Sequence, residues 1–117
     1  MKNLVIVLLM GIAAYKGYEL YQAAKVQPLY DHPYVAVYGR DSCGFTQATL
    51  KDLKKAGISY HYFSVDDRQV AEVLHQRMQG QGLDTSHYLL PVVDLNNSIS
   101  VRPDNKKLTV EAKTLLQ

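Results

Sequence analysis

The chain has 117 residues, 47% of them hydrophobic, with 13 Lys/Arg against 11 Asp/Glu and a formal charge of +2. That length holds one domain. From residue 29 onward ten basic and ten acidic residues balance, which excludes a general nucleic-acid binder, whose affinity comes from neutralising phosphates. The single cysteine, Cys43, excludes an internal disulfide and zinc sites built on paired Cys spacings. His32, His61, His75 and His87 show no metal-ligand spacing and read as surface or strand residues.

The N-terminus opens with Met1-Lys2-Asn3 and an uninterrupted apolar run from Leu4 to Ala14. As a helix at ~1.5 Å per residue, the run covers about half of a ~30 Å hydrocarbon core. Extended to Ala24 it becomes long enough, taking in Lys16 and Glu19, with Tyr15, Tyr18 and Tyr21 as an interfacial belt. A charged start before a short apolar run is also a secretory-signal pattern, here with a mediocre cleavage site after Ala14. The run lacks the 3.6-residue period of a soluble amphipathic helix. Residues 1–26 therefore read as an inner-membrane anchor or signal segment with the domain outside the cytoplasm, a cytoplasmic domain being the alternative. Residues 27–33, bracketed by Pro28 and Pro33, read as a linker to a domain over 34–117.

Beyond the linker, strand and helix patterns alternate. Residues 34–38 predict a short β-branched strand. Residues 44–56 predict a helix in which Phe45, Leu50, Leu53 and Ala56 form one apolar face, ended by Gly57 as an αL cap. Residues 58–65, rich in Tyr and Phe, predict a second strand. Asp66 and Asp67 carry N-cap chemistry for a helix through Val70, Val73, Leu74 and Met78, which Gly80 and Gly82 stop. Residues 88–95 predict a strand that begins at Pro91, Asn96-Asn97 a hairpin turn, and 98–101 the partner strand. Pro103-Asp104 opens a last helix carrying Leu108, Val110, Leu115 and Leu116. The order β-α-β-α-β-β-α gives an α/β fold with a mixed four-stranded sheet, because strands joined through a helix run parallel and a hairpin adds antiparallel ones.

The first strand leads into Gly39-Arg40-Asp41-Ser42-Cys43, which puts the lone thiol at the mouth of the following helix. Unpaired N–H groups and the macrodipole there lower a thiol pKa, and only the thiolate is a good nucleophile. Arg40, three residues upstream, offers a positive charge. The alternative for a lone cysteine is a small buried hydrophobe. Thr46, one turn further on, either donates its hydroxyl to the thiolate or back-bonds to a helix carbonyl.

This order, with Cys43-Gly44-Phe45-Thr46 after the first strand and Leu90-Pro91-Val92-Val93 opening the third, resembles the glutaredoxins of the thioredoxin superfamily. The likeness covers about residues 34–116. The quartet is close to the Cys-Gly-Phe-Ser of monothiol glutaredoxins, and Thr46 stands where dithiol members carry a second cysteine. The resemblance implies a thioredoxin-like fold with Pro91 in the cis form and Leu90 pairing its backbone with bound glutathione. It gives Arg40 a glutathione carboxylate and Asp104 the glutamyl end, although Asp104 equally fits a helix N-cap. Where the family carries a Gly-Gly pair after the hairpin, this chain has Arg102-Pro103.

The implied activity is thiol–disulfide exchange through Cys43, with glutathione as co-substrate and glutathione or protein thiols as partners, in a monomer. The alternative is a monothiol-type carrier in which two protomers share a [2Fe–2S] cluster through Cys43 and glutathione thiols. A non-catalytic thioredoxin-like module is a third possibility. A second resemblance, to arsenate reductase and its regulatory relatives, rests on Tyr38-Gly39, Cys43 and Gly57-Ile58-Ser59-Tyr60, but the chain lacks room for the insertion those proteins carry.

The N-terminal reading predicts that full-length protein stays in the membrane fraction through a carbonate wash. A reporter fused after Gln117 that is active only in the cytoplasm would reverse the assigned topology.

Overall fold

The computed structural model describes residues 27–116. Strand β1 (Val35–Gly39) is buried along its whole length, with Val35 and Val37 in the core on one face and Ala36 and Tyr38 on the other. A strand covered on both faces reads as a continuous apolar run, which is why its sequence shows no alternation. Helix α1 (Gly44–Lys55), β2 (His61–Ser64), α2 (Arg68–Gly80), β3 (Val92–Leu95), β4 (Ser98–Val101) and α3 (Asn105–Leu116) follow. The sheet runs β2-β1-β3-β4. β1 is parallel to β2, with Val37 opposite Tyr62, and antiparallel to β3, with Val37 opposite Val93. β3 and β4 close the antiparallel hairpin. The element order is the expected one.

Three layers result. Leu53 of α1 and Leu108 and Ala112 of α3 cover Val35, Val37 and Val93. Leu74 and Met78 of α2 cover Ala36, Tyr38 and Val92 on the opposite face. Both first helices end in the same way. Gly57 (φ 74°) and Gly82 (φ 75°) take the left-handed conformation. Ile58 N–H then reaches back to Leu53 O and Leu83 N–H to Met78 O, the bonds of a Schellman cap. At the other end of α2, Asp67 accepts the N–H of Gln69 at 2.9 Å. Asn96 and Asn97 supply the two positive φ values of the hairpin, 48° and 75°, as a two-residue primed turn requires.

The structure trims two predicted strands and redirects one predicted face. β2 starts at His61 rather than 58, because the cap of α1 has already consumed the Ile58 N–H. β3 starts at Val92, after a cis Leu90–Pro91 bond. Phe45 is 59% exposed and does not belong to the core face of α1; Thr46 and Thr49 are buried there instead. Val73 and Val110 also face solvent.

One polar network lies inside the apolar layers. Asp94 is fully buried. Its Oδ2 accepts from the Tyr34 hydroxyl at 2.8 Å and from Arg77, and its Oδ1 accepts the Asn97 N–H at 2.8 Å. Arg77 also donates to Gln27 O at 2.6 Å and Asn97 Oδ1 at 3.1 Å. The segment 27–33 is irregular, yet Leu29 and Tyr30 pack against the core and Tyr30 stacks on His61. No helix among the described residues is long and apolar enough to cross a membrane, and the expected anchor over 1–26 lies outside them. Removing one member of a buried ion pair strands the other. Asp94→Ala is therefore expected to cost about 3–5 kcal/mol, measured by denaturant titration.

Candidate active site

The turn between β1 and α1 is held by its own backbone and by two side chains. Cys43 N–H donates to Arg40 O at 3.0 Å. Asp41 accepts from the Tyr62 hydroxyl at 2.7 Å, and Gln47 reaches Asp41 O at 3.2 Å. Burial, together with the Asp41 carboxylate, pushes the Tyr62 pKa up to about 12, so the phenol stays a donor throughout the neutral range. Gly39 is required at the end of β1, because a Cβ there would collide with the Thr46 side chain. The helix thus sits directly on the strand end, with Thr46 fully buried between them.

Cys43 occupies the N-cap of α1 with extended backbone, φ −89° and ψ 116°, and no capping bond closes on its side chain. It remains partly exposed and is not the buried hydrophobe of the alternative reading. Its thiol pKa is lowered, first by the Thr46 hydroxyl, then by the N–H groups of Thr46 and Phe45 and the charge of Arg102, against a smaller desolvation effect that raises it. These donors favour the anion, as a helix N-terminus does in general. Thr46 accepts weakly from Arg40 N–H at 3.4 Å. Thr49 is the threonine that back-bonds, to Phe45 O at 3.1 Å, and it also joins α1 to α3 through Asn105 Oδ1 at 2.8 Å.

Two arginines belong to this end of the domain. Arg40 lies in an exposed ion pair with Asp66 at 3.1 Å. Arg102, in the turn after β4, lowers the Cys43 pKa. Its Nε donates to Leu90 O at 2.7 Å and its N–H to Pro91 O at 2.7 Å. Its guanidinium carbon stands 3.8 Å from the centroid of the Phe45 ring, in cation–π contact. Arg102 thereby ties the Leu90–Pro91 segment to the start of α1. It does so at φ 42°, a conformation that costs a non-glycine residue about 1–3 kcal/mol. Nothing in the local sequence Arg102-Pro103 reveals where the side chain goes.

Asp104 caps α3, accepting from Lys106 N–H at 2.9 Å and Lys107 N–H at 3.3 Å. Of the six residues singled out by sequence, Cys43 and Thr46 lie in the first turn of α1, and Leu90 and Pro91 are joined to that turn through Arg102 and Phe45. Arg40 and Asp104 already have partners of their own. Among the described residues, no three His, Cys, Asp or Glu side chains gather as metal ligands.

Comparison with known proteins adds to this geometry. No family model matches the chain, and no curated protein matches it. Among solved structures, a glutaredoxin from Archaeoglobus fulgidus superposes with a TM-score of 0.53 at 23% identity, over 79% of this chain and 97% of that one. The chain has a glutaredoxin-like fold. In this glutaredoxin-like domain the cis Leu90–Pro91 bond and the N-terminus of α1 are joined by Arg102.

The thiol chemistry has a pH signature. Because the folded domain favours the thiolate, the midpoint of the Cys43 alkylation rate against pH should lie below the ~8.5 of a free cysteine. Thr46→Val removes the largest lowering influence, so the midpoint should move upward. A midpoint unmoved by that substitution would show that the hydroxyl does not serve the sulfur.

Proposed function

We propose that this protein is a thiol–disulfide oxidoreductase whose only nucleophile is Cys43 and whose substrates are mixed disulfides of glutathione. The observation that carries the reading is the open, donor-lined sulfur at the N-cap of α1. The glutaredoxin-like fold is consistent with it.

The Cys43 thiolate attacks the glutathione sulfur of a mixed disulfide. A Cys43–glutathione disulfide forms as the original S–S bond breaks, and the departing thiolate takes a proton from water. A second glutathione thiolate then attacks the bound glutathione sulfur, which releases glutathione disulfide and returns the Cys43 thiolate. In sum one glutathione thiol is consumed and one substrate thiol released, the mixed disulfide being exchanged for glutathione disulfide, and no second protein cysteine is needed. Thr46, the first-turn N–H groups and Arg102 stabilise Cys43 each time it is the leaving group. The backbone of Leu90 lines up the incoming peptide, and Pro91 forms the wall next to it.

The test is turnover of a small glutathione mixed disulfide by full-length protein with glutathione as reductant. Activity that disappears in Cys43→Ser supports the enzyme. Absence of Cys43-dependent turnover would reject it. Reconstitution with iron, sulfide and glutathione separates the cluster-carrier alternative. A brown dimer that is colourless in Cys43→Ser would replace the enzymatic reading, and the expected product is a colourless monomer.

A further inference from the structure

A carbonyl on irregular backbone beside a nucleophile is an acceptor for a peptide-like substrate, which binds by adding its own backbone to that segment. Leu90 O is such a group, and in this structure one of its two lone pairs already accepts from Arg102. Arg102 Nε holds it at 2.7 Å, while the guanidinium lies 3.8 Å from the Phe45 ring centroid and so fills the space between Leu90 and the first turn of α1. Among the described residues no carboxylate is paired with Arg102, so nothing in the domain draws it away. The same side chain contributes charge to the sulfur. Two functions thus sit on one residue and oppose each other for one class of substrate.

We propose that Arg102 is an internal latch: it occupies the Leu90 acceptor, and a disulfide with a peptide backbone must displace it, whereas a disulfide without peptide groups need not. The latch is a specificity-determining device for the exchange reaction, and it rests on the reading of Cys43 as the nucleophile. Its effect is to hold down reaction with glutathione-type disulfides relative to compact ones of equal charge. Exchange of a hydrogen bond for another of the same kind is worth little net free energy, so the discrimination is modest and reversible by substitution.

The test compares two disulfides on full-length protein. One is glutathione disulfide. The other is 3,3′-dithiodipropionate, which carries the same net charge and no peptide group, so charge effects cancel in the ratio. The second-order rate of adduct formation at Cys43 is followed by quenching and intact-mass spectrometry for the wild type, Arg102→Gly and Arg102→Gln. Arg102→Gly opens the acceptor and should raise the glutathione-to-dipropionate rate ratio by about three- to tenfold. Arg102→Gln loses the charge but keeps a donor for Leu90 O, so its ratio should stay near the wild-type value. In both variants the alkylation midpoint of Cys43 should move upward. A ratio unchanged in Arg102→Gly, or raised equally in Arg102→Gln, would overturn the latch. Single-step adduct formation is measurable even where catalytic turnover fails. Failed turnover would therefore count against the enzyme, while the rate ratio still decides the role of Arg102.

Discussion

The close seat of α1 on the end of β1 is the constraint on which the site depends. Gly39 has no side chain, and Thr46 fills the place where one would be. That contact sets the height and rotation of the helix relative to the sheet. Once Thr46 is buried there, its hydroxyl meets the Arg40 N–H and favours the thiolate form of Cys43 one turn earlier. A larger residue at position 39 would lift the helix and separate the hydroxyl from the thiol. The polar character of the thiol environment therefore begins with a packing requirement in the strand.

The opposite end of the sheet is organised by charge rather than by close approach. Asp94 and Arg77 are both buried, and such a pair contributes little net stability while penalising any fold that leaves one of them alone. Its value lies in what it joins. Tyr34 before β1, α2, the Asn96-Asn97 turn and the carbonyl of Gln27 all converge on these two side chains. The domain is thus fastened by one apolar contact at the thiol end and by one ionic cluster at the other.

Much of this was legible in the chain. Gly57 marked a left-handed cap, Gly82 a helix stop and the Asn96-Asn97 pair a hairpin turn, and all four residues take positive φ, while Gly80 remains inside the helix. Asp67 marked a helix start through its short acceptor side chain. Cys43 after an apolar strand marked a thiol at a helix mouth. The failures share a physical origin. Phe45 looked like core by spacing, yet its partner is a guanidinium brought from 57 positions away in sequence. Arg102 itself carries no local signal, since its role follows from three contacts in two other segments. Asp94 reads as an ordinary polar residue of a strand until Arg77 is seen beneath it. Local rules read backbone demands well, and they do not see a long side chain crossing the sheet.

The grip of Arg77 on Gln27 has a geometric consequence. Tyr34 and Gln27 lie at the beginning of β1, and Cys43 follows its end. Five residues of strand at ~3.3 Å each separate the two, roughly 17 Å. The bond from α2 thus fixes Gln27 at the pole of the sheet opposite the thiol, so that the ionic cluster and the nucleophile occupy the two ends of one strand.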